Sequence, residues 1–332
     1  VSGERDDYLF TLAADKLLAF DTLIDSTITW SLQGPRGQVV LNRQLRSSDS
    51  VDGTSKLDLV AGTYQLSLTG PVGSYSFRLL DLATATSFAP GTVVNNSLSP
   101  GNETDLYRFD VTAGQRFFFD VQLITSSDTY WTLLTPFGDE VFQSAMSSDV
   151  DVKTLTLTGT YTLLIEGRRQ NTAANTYRFN VQPVTDDLAA LTIGARVDAA
   201  ISHTGQVDRY TFTLAERTRL YIDTLSNTVV YWTLTGPTGT VVAARNLQLS
   251  DSTDKYPLLD LVAGNYTLSF DATGDDLVTY AFRLLDASTA TPITPGNPVS
   301  GQLNPGNETD LFRFDVAAGE RYYFDSQAFS GD

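Results

Sequence analysis

Along most of this chain apolar residues alternate with polar ones. In 208–214, Tyr210, Phe212 and Leu214 fall on one side, with Arg209, Thr211 and Thr213 on the other. Tyr107, Phe109 and Val111 oppose Arg108 and Asp110 in the same way. A period of two with one wet side marks a half-buried antiparallel strand. Leu155, Leu157, Tyr161, Leu163 and Ile165 carry the pattern through a later pair of strands. No stretch sustains a 3.6-residue period with caps, so helix is expected to be minor. Turn signals recur about every 8–12 residues, which predicts β-sandwiches of roughly seven to eight short strands each.

The alternation itself repeats. Trp30, Trp131 and Trp232 are each 101 residues apart, and each opens a Trp-x-Leu-x-x-Pro-x-Gly phrase ending at Gly37, Gly138 and Gly239. That phrase reads as a strand running into a Pro/Gly turn. A Gly-x-Tyr-x-Leu phrase follows each tryptophan, with Tyr64, Tyr161 and Tyr266 at its centre. An Asp-x-Tyr/Phe-x-Phe strand precedes it, starting at Asp6, Asp105, Asp208 and Asp310. A longer beat lies on top: 98–122 and 303–327 match at 18 of 25 positions, offset by 205. Phe-Arg-Leu-Leu-Asp likewise recurs at 77–81 and 282–286. The duplicated unit is therefore a pair, module A then module B. The expected modules are 1–84 (A, its lead-in strand missing), 85–184 (B), 185–290 (A repeated) and 291–332 (the start of B repeated, truncated).

The chain opens on Val1 and its one methionine is Met146, so it is expected to be an internal or processed piece of a longer protein. A half-module exposes strand edges, and the alternative to a longer chain is completion by another chain through strand addition. One tryptophan per module is expected to plug the core between two sheets. Tyr64 and Tyr266, in Leu-x-Ala-Gly-x-Tyr, resemble tyrosine corners, in which a buried hydroxyl ties back to the backbone. Tyr161 sits in a shortened form.

The run 105–114, the Trp-x-Leu-x-x-Pro-x-Gly turn, Gly159-Thr160-Tyr161 and the closing Tyr177-x-Phe179 resemble the bacterial pre-peptidase C-terminal domain. The resemblance covers three modules and the start of the fourth. It implies a jelly-roll-like all-β sandwich of about 100 residues, extracellular and bacterial, with no catalytic residues to carry over. Such domains occur at the ends of secreted proteases and in tandem arrays of giant surface proteins.

Composition narrows the chemistry. Acids outnumber bases 39 to 22, a formal charge of −17, which disfavours nucleic acid and anionic membrane faces as partners. No apolar run reaches the ~18 residues of a membrane span. Cysteine is absent and His203 is the only histidine, so thiolate zinc sites, cysteine nucleophiles and serine triads cannot be assembled. His203 has no counterpart in other modules and is expected in a surface turn.

Calcium is the cofactor an acidic, oxygen-rich chain suggests. Asn102, Glu103 and Asp105, with Asn307, Glu308 and Asp310, are the densest clusters; no calcium-loop pattern is present. The repeated acids also include Asp21, Asp120, Asp223 and Asp325, and Asp49, Asp149 and Asp251. The structural alternative is that these residues start turns and keep strand ends soluble. The triplets 117–119 and 322–324 must each turn one ring away from the others, toward sugar or toward a neighbouring module.

The expected function is non-catalytic: a structural repeat segment of an extracellular fibre, stalk or adhesin. Its partners would be neighbouring modules or copies of itself, with junctions 84–91 and 291–295 stiffened by Pro-Gly. The alternative is a module binding surface glycans or matrix for a secreted hydrolase.

Overall fold

The computed structural model describes residues 4–49, 51, 53–251, 257–274 and 276–327. The outermost positions of the first and last expected modules thus lie outside the described residues. The chain divides into two compact units, Val1–Thr185 and Asp186–Asp332. It is an all-β protein with no α-helix among the described residues. Each sheet draws its strands from one repeat.

The first unit begins with β1 (Arg5–Leu12), β2 (Lys16–Thr22), β3 (Thr29–Gly34), β4 (Gly37–Gln44), β5 (Lys56–Leu59), β6 (Gly62–Thr69) and β7 (Phe77–Asp81). These form a β1-β6-β3-β4 sheet and a β5-β2-β7 sheet. Leu18 and Phe20 from one sheet meet Trp30, Leu32, Tyr64 and Leu66 from the other in a single core. Module B follows with β8 (Thr86–Ser87), β9 (Val94–Leu98), β10 (Thr104–Val111), β11 (Arg116–Ile124), β12 (Thr129–Leu134), β13 (Glu140–Ala145), β14 (Val150–Thr154), β15 (Gly159–Gly167) and β16 (Asn175–Pro183). Its sheets run β13-β12-β15-β10-β8 and β14-β11-β16-β9.

The second unit repeats this plan. It holds β17 (Leu188–Ala190), β18 (Arg196–Ile201), β19 (Val207–Leu214), β20 (Thr218–Thr224), β21 (Tyr231–Gly236), β22 (Gly239–Asn246), β23 (Leu258–Leu261), β24 (Gly264–Asp271) and β25 (Val278–Asp286). The sheets are β17-β19-β24-β21-β22 and β18-β25-β20-β23. Of the fourth module, β26 (Thr291–Pro292) pairs with β27 (Phe312–Arg313). Pairing is antiparallel throughout, except that β8, β17 and β26 each bridge in parallel to the strand beside them.

That exception revises one reading. Residues 84–91 are not a free linker: β8 is an edge strand of module B, and Phe88 rests against Phe109, 5.4 Å between ring centres. Pro90-Gly91 turns the chain from one sheet to the other inside the sandwich.

The motif residues explain one another. Trp30, Trp131 and Trp232 are fully buried between the sheets. Tyr64 and Tyr266 donate to the carbonyls of Val60 and Val262 at 2.8 Å, as tyrosine corners do. In the shortened module B corner, Tyr161 instead accepts from the amide of Leu157 at 3.2 Å. Gly62, Gly159 and Gly264 lie at φ 143°, 146° and 144°. A Cβ there would come within 2.7, 2.8 and 2.2 Å of the rings of Pro35, Pro136 and Pro237. The two phrases therefore recur together because the proline of one rests on the glycine of the other.

Candidate functional site

The three families of repeated aspartates each have a distinct place. The first family clasps the two sheets of a sandwich together. Asp105 on β10 accepts from Tyr177 on β16 at 2.6 Å, and the Tyr107 and Tyr177 hydroxyls meet at 2.6 Å. Asn96 on β9 adds donors to both Asp105 and Tyr107, at 3.2 and 3.0 Å. Asp208, Tyr280 and Tyr210 repeat the arrangement, with Gln206 as the amide donor. In module A, Asp6, Tyr75 and Tyr8 make the same contacts. Burial raises the pKa of Asp105 and Asp208, outweighing the tyrosine hydrogen bonds. Tyr177 and Tyr280 are pushed far above the ordinary tyrosine range by burial and by the carboxylates they face.

The third family ties the turn after the tryptophan hairpin to the next sheet. Asp49, Asp149 and Asp251 accept from the backbone amides of Thr22, Val121 and Thr224, at 2.7, 2.7 and 2.8 Å.

Two members of the second family, Asp21 and Asp223, build the junction between modules. Asp21 on β2 is 1% exposed and receives Arg78 on β7 at 2.6 Å. Arg78 reaches on into module B, to the Glu103 carboxylate at 3.1 Å and the Thr104 carbonyl at 2.9 Å. The Thr104 hydroxyl also donates to Asp21 at 3.0 Å. Burial raises the pKa of Asp21 despite the guanidinium beside it. Around this network Ala19, Leu82, Leu134 and Leu164 form a small buried cluster, joined by Leu17, Leu80 and Leu106. The outer face of the β5-β2-β7 sheet thus lies against the outer face of β10, β12 and β15. Lys56 donates to the Gly138 carbonyl at 2.8 Å, and Arg169 pairs with Asp25 at 3.1 Å, at the rim.

The second unit contains the same contact. Arg283 pairs with Asp223 at 2.6 Å and with Glu308 at 3.3 Å, and reaches the Thr309 carbonyl at 3.3 Å. Arg78, Glu103 and Thr104 map onto Arg283, Glu308 and Thr309 at the 205-residue offset. The register replaces the arginine in module B: Asp21 faces Arg78 and Asp223 faces Arg283, but Asp120 faces Asn180. Neither arginine stood out in the sequence as a functional residue. The signal was their restriction to the Phe-Arg-Leu-Leu-Asp phrase of A modules.

Four of the candidate calcium residues, Asn102, Glu103, Asp105 and Glu308, are engaged by neighbouring groups. Glu103 spends one oxygen on Arg78 and the other on the Ser99 amide, at 2.6 Å. Asp105 belongs to the clasp, and Asn102 donates to the Arg169 carbonyl at 3.2 Å. Glu308 binds Arg283 and the Asn304 amide. Among the described residues no group of three or more His, Asp or Glu is placed to hold a metal.

The aromatic triplets differ from each other. Phe117, Phe118 and Phe119 are all buried, so module B offers no aromatic platform there. Tyr323 and Phe324 of the fourth module are exposed. His203 lies in the turn between β18 and β19, 3.4 Å from the Ser202 hydroxyl. An open depression of about 560 Å³ beside β17, β19 and β24 is lined by threonines, Asn265, Leu191, Phe212 and Tyr266. None of its lining residues is an acid or a base strong enough for general acid–base chemistry near neutral pH. Among the described residues no helix is long and apolar enough to cross a membrane.

No family model and no curated protein matches the chain. Among solved structures it is similar to PliG of Aeromonas hydrophila, a periplasmic inhibitor of g-type lysozyme. That match has 16% identity over 30% of this chain and 97% of that one, TM-score 0.24. It is also similar to the CUB1-EGF-CUB2 region of human MASP-1/3, with 10% identity over 57% and 99% of the two chains, TM-score 0.22. A triple jelly roll from the turret assembly of an archaeal virus matches at 8% identity over 86% and 82%, TM-score 0.17. Likenesses this weak leave the function to be argued from the chain's own residues.

Proposed function

We propose that this chain is a non-catalytic structural segment of a bacterial extracellular fibre, stalk or adhesin, built from tandem modules like the pre-peptidase C-terminal domain. One observation carries the reading: the chain repeats its junction as well as its modules. Arg78 and Arg283 each hold a buried aspartate of an A module and reach the Glu-Thr of the next B module. Two copies of a domain can arise for many reasons, but copying the contact between them favours a serial array. The acids, moreover, are engaged in clasps and junctions, which supports scaffolding over catalysis. The mechanism is mechanical: each module adds length, and each A-to-B contact fixes the pair as one piece.

Negative-stain imaging of the native material with an antibody to this segment, beside its intact mass, tests the proposal. Label along filaments or stalks, on a chain much heavier than 36.2 kDa, is the expected result. Label confined to a soluble secreted enzyme would overturn it in favour of an accessory binding module.

A further inference from the structure

The outer face of the β5-β2-β7 sheet meets three leucines of module B: Leu106 on β10, Leu134 on β12 and Leu164 on β15. Strand register identifies their equivalents in the A modules. The first A module holds Asp7, Gln33 and Ser67 at these positions, and the second holds Arg209, Thr235 and Ser269. Leu311, 205 residues after Leu106, keeps the leucine in the fourth module. Among the described residues, the apolar half of the contact therefore belongs to B modules alone. Setting Asp7 or Arg209 against Ala19 and Leu82 would bury a charge with no partner across the contact.

The polar half is just as particular. The loop before β10 has counterparts built alike, each closed by a side chain accepting from an amide four residues back. Glu103 accepts from Ser99 at 2.6 Å, Gln206 from Ser202 at 2.7 Å and Glu308 from Asn304 at 2.8 Å. In the B modules the other carboxylate oxygen takes the arginine of the A face. In the second A module Gln206 spends its amide on Asp208 and Asp187, and Val207 stands where module B has Thr104. In the first A module Arg5 stands there, a like charge for Arg78. The receiving face differs too. Module B has Asn180 where A has Arg78, and Gln182 where A has Leu80. Arg178 attracts Asp120 from two residues along β16 but is itself exposed. A Glu-Thr loop seated on that face would set its glutamate toward Asp120 with no guanidinium between them.

We propose that the outer face of an A module's second sheet is a selective dock whose partner is a B-type module. It accepts a Glu-Thr loop beside three outward leucines, and it rejects the loops and polar faces of A modules. The Asp-Asn face of a B module in turn rejects a second B module. Selection of this kind works through unpaired and repelling charges in the wrong pairs as much as through attraction in the right one. It rests on the array reading and adds a rule of order to it: what docks on the second sheet of A is B.

The test is a double-substitution cycle in the whole 332-residue chain. Hydrogen exchange of 16–22 and 77–81 near neutral pH is the readout, with 207–214 as the internal control. Glu103→Gln alone should lower protection of the A strands about fivefold, since it removes a partner of Arg78. Arg78→Asn gives module A the residue that module B carries. In that background Glu103→Gln should raise protection instead, because it removes a carboxylate left facing Asp21 without a cation. The change of sign is the signature of recognition; a glutamate that only shapes its loop would cost the same in both backgrounds. If Arg78→Asn alone strips these strands of measurable protection, Glu103→Gln should restore it. Leu134→Gln with Leu164→Ser, which makes the face polar as in the first A module, should lower protection tenfold or more. The same sign in both backgrounds, no restoration, or indifference to the leucine exchange would each overturn the selection and leave the array to the imaging test. Label confined to a soluble enzyme would end the array reading and leave the outcome of the cycle standing.

Discussion

Arg78 is one-third exposed, yet the carboxylate it holds is almost wholly buried. Removing one partner of a buried pair costs roughly 3–5 kcal/mol, because the remaining charge is stranded. Solvent reaches Arg78, so Arg78→Ala should cost less than that, about 2 kcal/mol. Asp21→Asn with Arg78→Ala should recover part of the loss, measured by denaturant unfolding. Trp131 offers a second contrast. Trp30 and Trp232 donate to Ser48 and Ser250 at 2.7 and 2.8 Å, and Arg43 and Arg245 lie over their rings. Trp131 has a buried indole nitrogen with no partner. Met146 sits 101 residues after Leu45, but Asp149 only 100 after Asp49; this one-residue deletion shifts Ser148 out of the position that Ser48 and Ser250 hold. Trp131→Phe should therefore cost about 1 kcal/mol less than Trp30→Phe, the difference being one hydrogen bond. Burial also sets a pH response. Asp105 and Asp208 have folded pKa values raised above the unfolded value near 4. A raised carboxylate contributes stability when protonated, so its contribution is absent at pH 7 and grows as pH falls through the folded pKa. Melting temperature should rise from pH 7 toward about pH 4.5, and Asp105→Asn with Asp208→Asn should flatten that rise.

At the scale of strands and loops, the 99–105 segment is where the calcium expectation meets its competitor. Its carboxylates already accept from Arg78, the Ser99 amide, Tyr177 and Asn96. A calcium ion would have to displace these donors to gather six or more oxygens. Chelator should leave the melting temperature unchanged, and calcium titration should give no heat; a shift of several degrees would reinstate the ion. Some of this was legible beforehand and some was not. The Trp-x-Leu-x-x-Pro-x-Gly and Gly-x-Tyr phrases announced their roles because each depends on neighbours close in sequence or on a steric rule. Tyr64 finds its acceptor four residues back, whereas the seating of Gly62 under Pro35 emerges only in the folded sandwich. The strand within 84–91 was hidden by brevity: β8 is two residues long. The junction was hidden because Asp21, Arg78 and Glu103 meet only after two sandwiches have folded and docked. A sequence displays the oxygens, but not the donors that claim them.

At the scale of the first unit, the question is whether modules A and B unfold separately or as a pair. Their shared cluster buries Leu82, Leu134 and Leu164. At roughly 1.5–3 kcal/mol for each fully buried leucine, the contact rivals the marginal stability of a small domain. Among the described residues the second sheet of module A has three strands where that of module B has four, so within this 332-residue segment module A has the more to lose. Coupling through such an interface makes neighbours unfold together, and weakening it should release the less stable one first. Leu164→Asp places a charge at a site now 1% exposed, opposite the apolar face of β2 and β7. Hydrogen exchange of the whole chain is the measurement. In the unaltered protein, protection of 16–22 and 77–81 should match that of 116–124. In Leu164→Asp the first two segments should lose protection by tenfold or more, on the order of 1.4 kcal/mol or greater. Strands 207–214 and 264–271 of the second unit should not change, which reports whether the substitution acts locally. If all segments of module A keep their protection, its sandwich is independent, and the pair is a repeat of ancestry without being a repeat of mechanics.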